Sequence, residues 1–245
     1  MLQITTLSEL TIDGRLSLGP GASSKELFAF YGPELGRWFH AQRAACDAIM
    51  VGAGTVRADD PELTVRHVEG PNPLRVVPST DGRLPPHATI LNDGLPTLVA
   101  VSDRAADETV ASLDARPGVE VVRCGAERVD LPRLAALLHA RGVRTMIAEG
   151  GSHLLHALFA AGMVGRMVIK HVPVIAGRLD APGFLPTDAP SLPLSRWRAV
   201  DWRLIGAVGV ATYEPLPDER RTVRGEPSDD AATPRASPAT SPRSR

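Results

Sequence analysis

The stretch AIMVGAGTVRADDPELTVR, residues 48–66, decides the fold class. Its opening AIMV is short, apolar and rich in β-formers, as a buried strand requires. Gly52 and Gly54 follow at the strand's end, where a residue without Cβ can turn sharply or approach a ligand closely. Thr55 is expected to cap a short helix that Pro61 would end. Strand, glycine turn and helix start in succession suit a phosphate, because the first turn of a helix carries N–H groups without intrahelical partners. A glycine turn after a buried strand is equally a plain packing device, so the neighbouring segments have to decide.

TMIAEGGSHLLHALFAAGM, residues 145–163, repeats the pattern. A strand ends in Glu149, Gly150 and Gly151 allow a tight turn, and 152–161 has helical spacing with Leu154, Leu155, Leu158 and Phe159 facing the sheet. The N–H groups of Gly151, Ser152 and His153 would carry the positive end of that helix, a place for a pyrophosphate. Further apolar strands are expected at 74–77, 97–101, 119–124 and 143–149, with helices at 105–113 and 131–141, the second capped by Asp130. Such alternation predicts an α/β fold with a mostly parallel sheet flanked by helices. WRAVDWRLI and AVGVATYEPL, either side of Gly206, predict a C-terminal antiparallel pair at one edge. Two glycine turns at carboxyl ends of strands favour a nucleotide cleft. Neither has the G-x-G-x-x-G spacing of a Rossmann turn, and no Walker A motif occurs.

Composition narrows the function classes. Hydrophobic residues make up 43% and charged residues 22% of 245 positions, and the formal charge of −1 gives no field for nucleic acid or an anionic membrane. Arginine dominates the 27 basic residues; Lys25 and Lys170 are the two lysines. Cys46 and Cys124 are too few for a structural zinc site and are expected to be buried thiols, so no metal is expected. No basic-then-apolar leader and no apolar run of about 18 residues occurs, which predicts a cytoplasmic protein. Residues 1–217 are expected to form one domain. Residues 218–245, rich in Pro, Ser, Arg and Asp, are expected to be a disordered tail.

The segments TIDGRLSL (11–18), GASSKEL (21–27), AIMVGAGTVRADDPELTVR (48–66), CGAERVDLPRL (124–134) and AEGGSHL (148–154) resemble, in that order, the pyrimidine reductases of riboflavin biosynthesis. These include the C-terminal half of the bifunctional deaminase-reductase and the stand-alone reductases of similar length. The resemblance implies a dihydrofolate-reductase-like fold, a homodimer, and NADPH as hydride donor in converting a ribosylamino to a ribitylamino group on a pyrimidine 5′-phosphate. It implies cofactor contacts at Thr55, Asp59, Ser79, Gly151, Ser152 and His153. It places substrate at Arg43, Leu63, Arg66 and Ser23, and the active-site carboxylate at Glu149. Opening the ribose gives an imine at C1′, and hydride addition there needs a proton delivered elsewhere. Asp13 or Glu149 could supply it or orient the sugar hydroxyls. Arg43 and Arg66 suit a phosphate through the guanidinium fork. Lys25 is a phosphate contact or a surface charge, and Arg104 a contact for a 2′-phosphate or a loop charge.

Several positions depart from the family's pattern. Pro78 stands where an Asp usually precedes the serine, Gly165-Arg166 replaces an acidic pair, and HVPVIAGR (171–178) and FAFYGPELGRWF (28–39) differ from the usual loops. The departures leave the substrate open between the diamino-pyrimidinone phosphate, its deaminated counterpart, and another small heterocycle or carbonyl. Non-catalytic nucleotide binding is the remaining alternative. No H-x-E accompanied by the P-C-x-x-C of a zinc deaminase occurs, so the chain is not expected to carry that zinc chemistry.

Overall fold

The computed structural model describes residues 1–217; the expected tail at 218–245 lies outside the described residues. Fourteen regular elements follow in order: β1 (Gln3–Thr11), α1 (Pro33–Ala44), β2 (Ala48–Met50), α2 (Ala53–Asp59), β3 (Leu74–Pro78), β4 (Thr97–Val101), α3 (Asp107–Asp114), β5 (Val119–Arg123), α4 (Leu131–Ala140), β6 (Thr145–Glu149), α5 (Ser152–Ala160), β7 (Arg166–Val172), β8 (Trp197–Ile205) and β9 (Val208–Pro215). Two 3-10 turns, Ser24–Phe30 and Thr89–Leu91, complete the set. The strands form one sheet in the order β5-β4-β3-β2-β6-β1-β7-β9-β8. It is parallel from β5 through β7, while β9 and β8 add antiparallel pairs at one edge. The α/β architecture and the antiparallel C-terminal pair follow the expectation from the sequence.

Apolar residues cover both faces. Leu134 and Leu138 of α4 and Leu154 and Leu158 of α5 pack on Met50, Val76, Leu98 and Met146. On the other face α1 lays Leu35 and Phe39 over Leu7, Ile147 and Val168. Asp130 caps α4 by accepting from the N–H of Arg133 at 2.9 Å, as its position predicts.

The opening stretch differs in one detail. Gly52, not Thr55, is the N-cap of α2, and no side chain caps it. Val51 still pairs with β3 through the carbonyl of Val76, so the chain turns immediately afterwards and Thr55 falls inside the first helical turn. α2 ends before Pro61 because Asp60 takes a left-handed conformation with φ 39°. The Asp60 carboxylate accepts from the N–H and hydroxyl of Thr89 at 2.7 and 2.9 Å, which fixes that unfavourable backbone.

Two central strands, β1 and β7, went unrecognised in the strand pattern because polar residues interrupt them. Thr6, Ser8, Thr11 and Lys170 are nonetheless buried. β3 has a buried charge of its own. Arg75 binds both oxygens of Asp93 at 2.6 Å and donates to the carbonyls of Glu62, Ile90 and Leu95, joining three loops to the sheet.

Asp93→Ala should therefore leave a buried guanidinium without its counter-charge. Urea unfolding should show a loss of about 3–5 kcal/mol, the usual result of breaking one side of such a pair. The Arg75→Met, Asp93→Leu double variant should recover most of that loss. Equal losses in the single and double variants would contradict the assignment.

Candidate active site

The carboxyl ends of β1, β2 and β6 open into a cavity of about 270 Å³. Its lining includes Glu9, Phe28, Phe39, Arg43, Thr55, Asp59, Leu63, Arg66, Glu149 and the turn Gly150–His153. Two of the sequence's glycine-turn segments thus meet around one space, at the end of a parallel sheet where ligands commonly bind.

The β6–α5 turn is built to sit close to α2. Gly150 and Gly151 have φ of 105° and 30°, and a Cβ on either would come within 3.0 and 3.1 Å of the Thr55 hydroxyl. No side chain caps α5 at Gly151. Ser152 and His153 both line the cavity, and the N–H groups of a first helical turn have no intrahelical partner and carry the positive helix end. That donor set fits a pyrophosphate. The Ser79 hydroxyl, at the end of β3, is buried without a hydrogen-bond partner, a second polar group suited to a ligand. Ser79 does not line this cavity. His153 has an exposed side chain whose Nε2 lies 3.3 Å from Asp188.

Glu149 ends β6 and is buried at the cavity wall. Arg43, on the buried face of α1, donates Nε to Glu149 Oε1 at 2.9 Å and Nη2 to Oε2 at 2.6 Å. Its Nη1 donates to the carbonyl of Thr64 at 3.0 Å, and its guanidinium stacks 4.4 Å from the Phe39 ring centre. Arg43 is thus occupied by the protein, so its fork is not available for the bidentate phosphate grip expected from the sequence. It orients Glu149 and pins the 60–66 loop instead.

The rest of that loop is fastened from outside as well. Leu63 is buried with φ 56°, a rare conformation for a branched residue. Val65 N–H donates to Asn72, and Arg66 N–H donates to His40 Nδ1 at 3.1 Å. Burial, helped by Arg43, Arg66 and His67, pushes the His40 imidazole down to about 4, so it stays neutral and able to accept. The Arg66 side chain is half-exposed at the rim and pairs with Glu62.

Asp59 lines the cavity with both oxygens engaged, accepting from the N–H and hydroxyl of Ser24 at 3.1 and 2.8 Å. Ser24 itself lines the cavity, whereas Ser23, the expected substrate contact, caps the 3-10 turn by accepting from the N–H of Lys25. Lys25 also lines the cavity, and its ammonium donates to the carbonyl of Asp60.

Asp13 is placed away from the cavity. Its carboxylate accepts from the Thr11 hydroxyl at 2.6 Å and from the N–H groups of Ala176 and Gly177 at 3.0 Å each. These bonds, the Thr11 hydroxyl foremost, hold it at about 2. The same bonds tie the 173–177 loop to β1, and Asp13 is not among the residues that line the cavity with Glu149. Arg104 is exposed and paired with Glu127 at 3.0 Å, outside the cavity lining. Cys46 and Cys124 are free and buried, as expected, and burial pushes the Cys46 thiol up to about 12.

Sequence reasoning missed Glu9 and Phe28 in the lining, and Lys170 behind Glu9. The one available signal was Lys170 itself, one of two lysines and set inside an apolar run.

Residues 3–209 match the RibD C-terminal domain family. The chain is 37% identical over 180 residues to the 2,5-diamino-6-ribosylamino-4(3H)-pyrimidinone 5′-phosphate reductase of Aquifex aeolicus (strain VF5), covering 73% of this chain and 80% of that protein. It is 42% identical over 175 residues to the reductase of the same name from Methanothermobacter thermautotrophicus, covering 70% and 78%. Among solved structures, a pyrimidine reductase-like protein from Corynebacterium diphtheriae superimposes with a TM-score of 0.74 at 19% identity, over 89% of this chain and 93% of that one. The fold is shared with that protein, and by the extent of its sequence match the chain belongs to the RibD C-terminal domain family.

Proposed function

We propose that residues 1–217 form one NADPH-dependent reductase unit that converts the ribosylamino group of a pyrimidine 5′-phosphate to ribitylamino, as in riboflavin biosynthesis. The observation that carries this reading is the Glu149 carboxylate, clamped by the Arg43 fork at the cavity wall one residue from the Gly150–Gly151 turn. Membership of a family whose curated relatives are named as reductases of such a substrate supports it.

When bound, NADPH supplies a hydride for the C1′ imine of the ring-opened sugar. The N–H groups of Ser152 and His153 would hold its pyrophosphate, and Thr55 sits against the same turn. Glu149 faces the sugar. Arg43 fixes its plane, so the carboxylate orients the hydroxyls and handles a proton near the reacting carbon. Phe28 and Phe39 supply apolar wall that excludes water from that step. The phosphate lies at the rim, between Lys25 and Arg66, the cavity cations that remain half-exposed or exposed. Val200, Trp202 and Leu204, exposed on edge strand β8, give the chain an apolar face suited to a homodimer. The free buried cysteines are consistent with work in the cytoplasm.

Loss of NADPH absorbance, with the diamino-pyrimidinone phosphate and its deaminated counterpart offered separately, tests the reaction directly. Turnover of neither would refute it. Glu149→Gln should lower kcat by about 10²–10⁴-fold, the usual scale for a positioned acid–base group, with NADPH binding retained. Unchanged kcat would remove Glu149 from the chemistry.

A pH effect follows from His40. The unfolded chain takes up a proton near the ordinary value of 6.5, whereas folded His40 resists until about 4. Stability contributed by the neutral imidazole is thus complete above 6.5 and declines as the pH falls from 6.5 towards 4. In His40→Asn, whose amide oxygen can still accept from Arg66 N–H, that part of the fall in melting temperature should disappear. An identical pH profile in the variant would show that His40 is not its source.

A further inference from the structure

The reductase reading uses one of the cavity's two buried ion pairs and leaves the other unexplained. Lys170 on β7 and Glu9 on β1 are register partners, so both side chains leave the same face of the sheet. Leu7 and Glu149 are partners across β1 and β6, and Glu9 lies two residues beyond Leu7. Glu9 and Glu149 therefore share that face, their Cα atoms about 8 Å apart by strand rise and spacing. Both line the cavity, with the aromatic rings of Phe28 and Phe39 in the same wall.

Lys170 lies behind Glu9. Its side chain is wholly buried, with Nζ 2.7 Å from Glu9 Oε2 but not aligned as a hydrogen bond. The ring centres of Phe39 and Tyr31 lie 3.9 and 5.0 Å from the ammonium. The Tyr31 hydroxyl donates to Glu9 Oε2 at 3.4 Å. Lysine and tyrosine thus converge on one oxygen of Glu9, and Oε1 is the oxygen they leave. Such a pair is a poor device for stability, because apolar residues of similar volume commonly hold a sheet as well or better.

We infer that Glu9 reads the edge of the pyrimidine ring and selects a 2-amino-pyrimidin-4-one over a uracil, with Lys170 as its positioning residue. The inference rests on the reductase reading of this cavity. A 2-aminopyrimidinone presents a ring N–H and an exocyclic amino group side by side, and Glu9 Oε1 is the acceptor left for that donor edge. The deaminated ring carries a carbonyl oxygen at C2, whose lone pairs would face the carboxylate. One favourable contact becomes a repulsive one, and specificity gains from both changes. Glu149 and Glu9, on one face and two strand residues out of level, leave room for one ring between the sugar carbon and the reading edge.

Calorimetric titration of the full chain with the diamino-pyrimidinone phosphate and with its deaminated counterpart tests the inference without needing turnover. The wild type should prefer the diamino compound by about 100-fold or more, since a buried polar group left unmatched discriminates strongly. Glu9→Gln should weaken the diamino compound by about 30-fold, tighten the deaminated one by removing the repulsion at its C2 carbonyl, and leave NADPH affinity intact. Because Glu9→Gln strands Lys170, the Glu9→Gln, Lys170→Met double variant should regain melting temperature while discrimination stays lost. Recovery of discrimination along with stability would reduce the pair to a structural role and overturn the inference. Equal binding of the two compounds by wild type, or binding of neither, overturns it too. Discriminating binding without any NADPH oxidation would instead refute the reductase reading and leave the ring-edge assignment standing.

Discussion

The guanidinium of Arg43 is the constraint on which the site depends. A charge buried to this degree must find every partner inside the protein. It finds them on two separate parts of the chain: Glu149 at the end of β6 and the Thr64 carbonyl in the loop after α2. Since Arg43 belongs to α1, packing that helix on Leu7, Ile147 and Val168 sets both positions together. The carboxylate is oriented by a bidentate bond rather than by its own rotamer, which narrows its geometry beyond what a free glutamate allows.

The same logic explains how the loop at 60–66 tolerates two left-handed residues that are not glycine. Each such residue costs on the order of 1–3 kcal/mol and persists only where its surroundings over-determine it. Here Asp60 is fixed by Thr89, the Glu62 carbonyl by Arg75, the Thr64 carbonyl by Arg43 and Arg66 N–H by His40. Leu63, between these anchors, is pressed into the core beside Val56 and Val77. Loops of this kind carry function because the rest of the fold holds them rigid.

Much of this was legible in the sequence wherever one signal prevailed. The strands at 74–78 and 97–101 and the helix at 131–140 followed from apolar spacing, and the two glycine turns were found from strand, glycine and helix in succession. β1 and β7 escaped because Thr6, Ser8, Glu9, Thr11 and Lys170 break the apolar pattern, although tertiary pairing buries or half-buries them. Residue types could mark Asp13, Arg43, Asp59 and Ser23 as polar and suitable, but not which partner each would take. A carboxylate that fastens a loop and one that meets a ligand look alike in sequence, and contacts across 35 to 106 residues separate them. The two glycine turns at strand ends already favoured one cleft, and the resemblance to a family supplied what spacing could not: which polar residues to expect around it.

Charge is distributed along the cavity by depth. Inside, each cation is matched: Arg43 by Glu149 and Lys170 by Glu9, both packed against the Phe39 ring. At the rim, Lys25 donates to a backbone carbonyl and Arg66 meets Glu62 in solvent, where an ion pair is worth little and exchanges readily. A doubly charged phosphate is poorly served by the inner cations, whose carboxylates would have to be displaced and left buried without counter-charge. The outer ones can turn to it at small cost. On the reductase reading, the substrate therefore enters ring first, its phosphate remains at the mouth, and the ribose spans the interval past Glu149. Phe39 is the hinge of that arrangement. One aromatic ring lies against both inner cations, so Glu149 and Glu9, the carboxylates paired with them, are held in fixed relation by one side chain of α1.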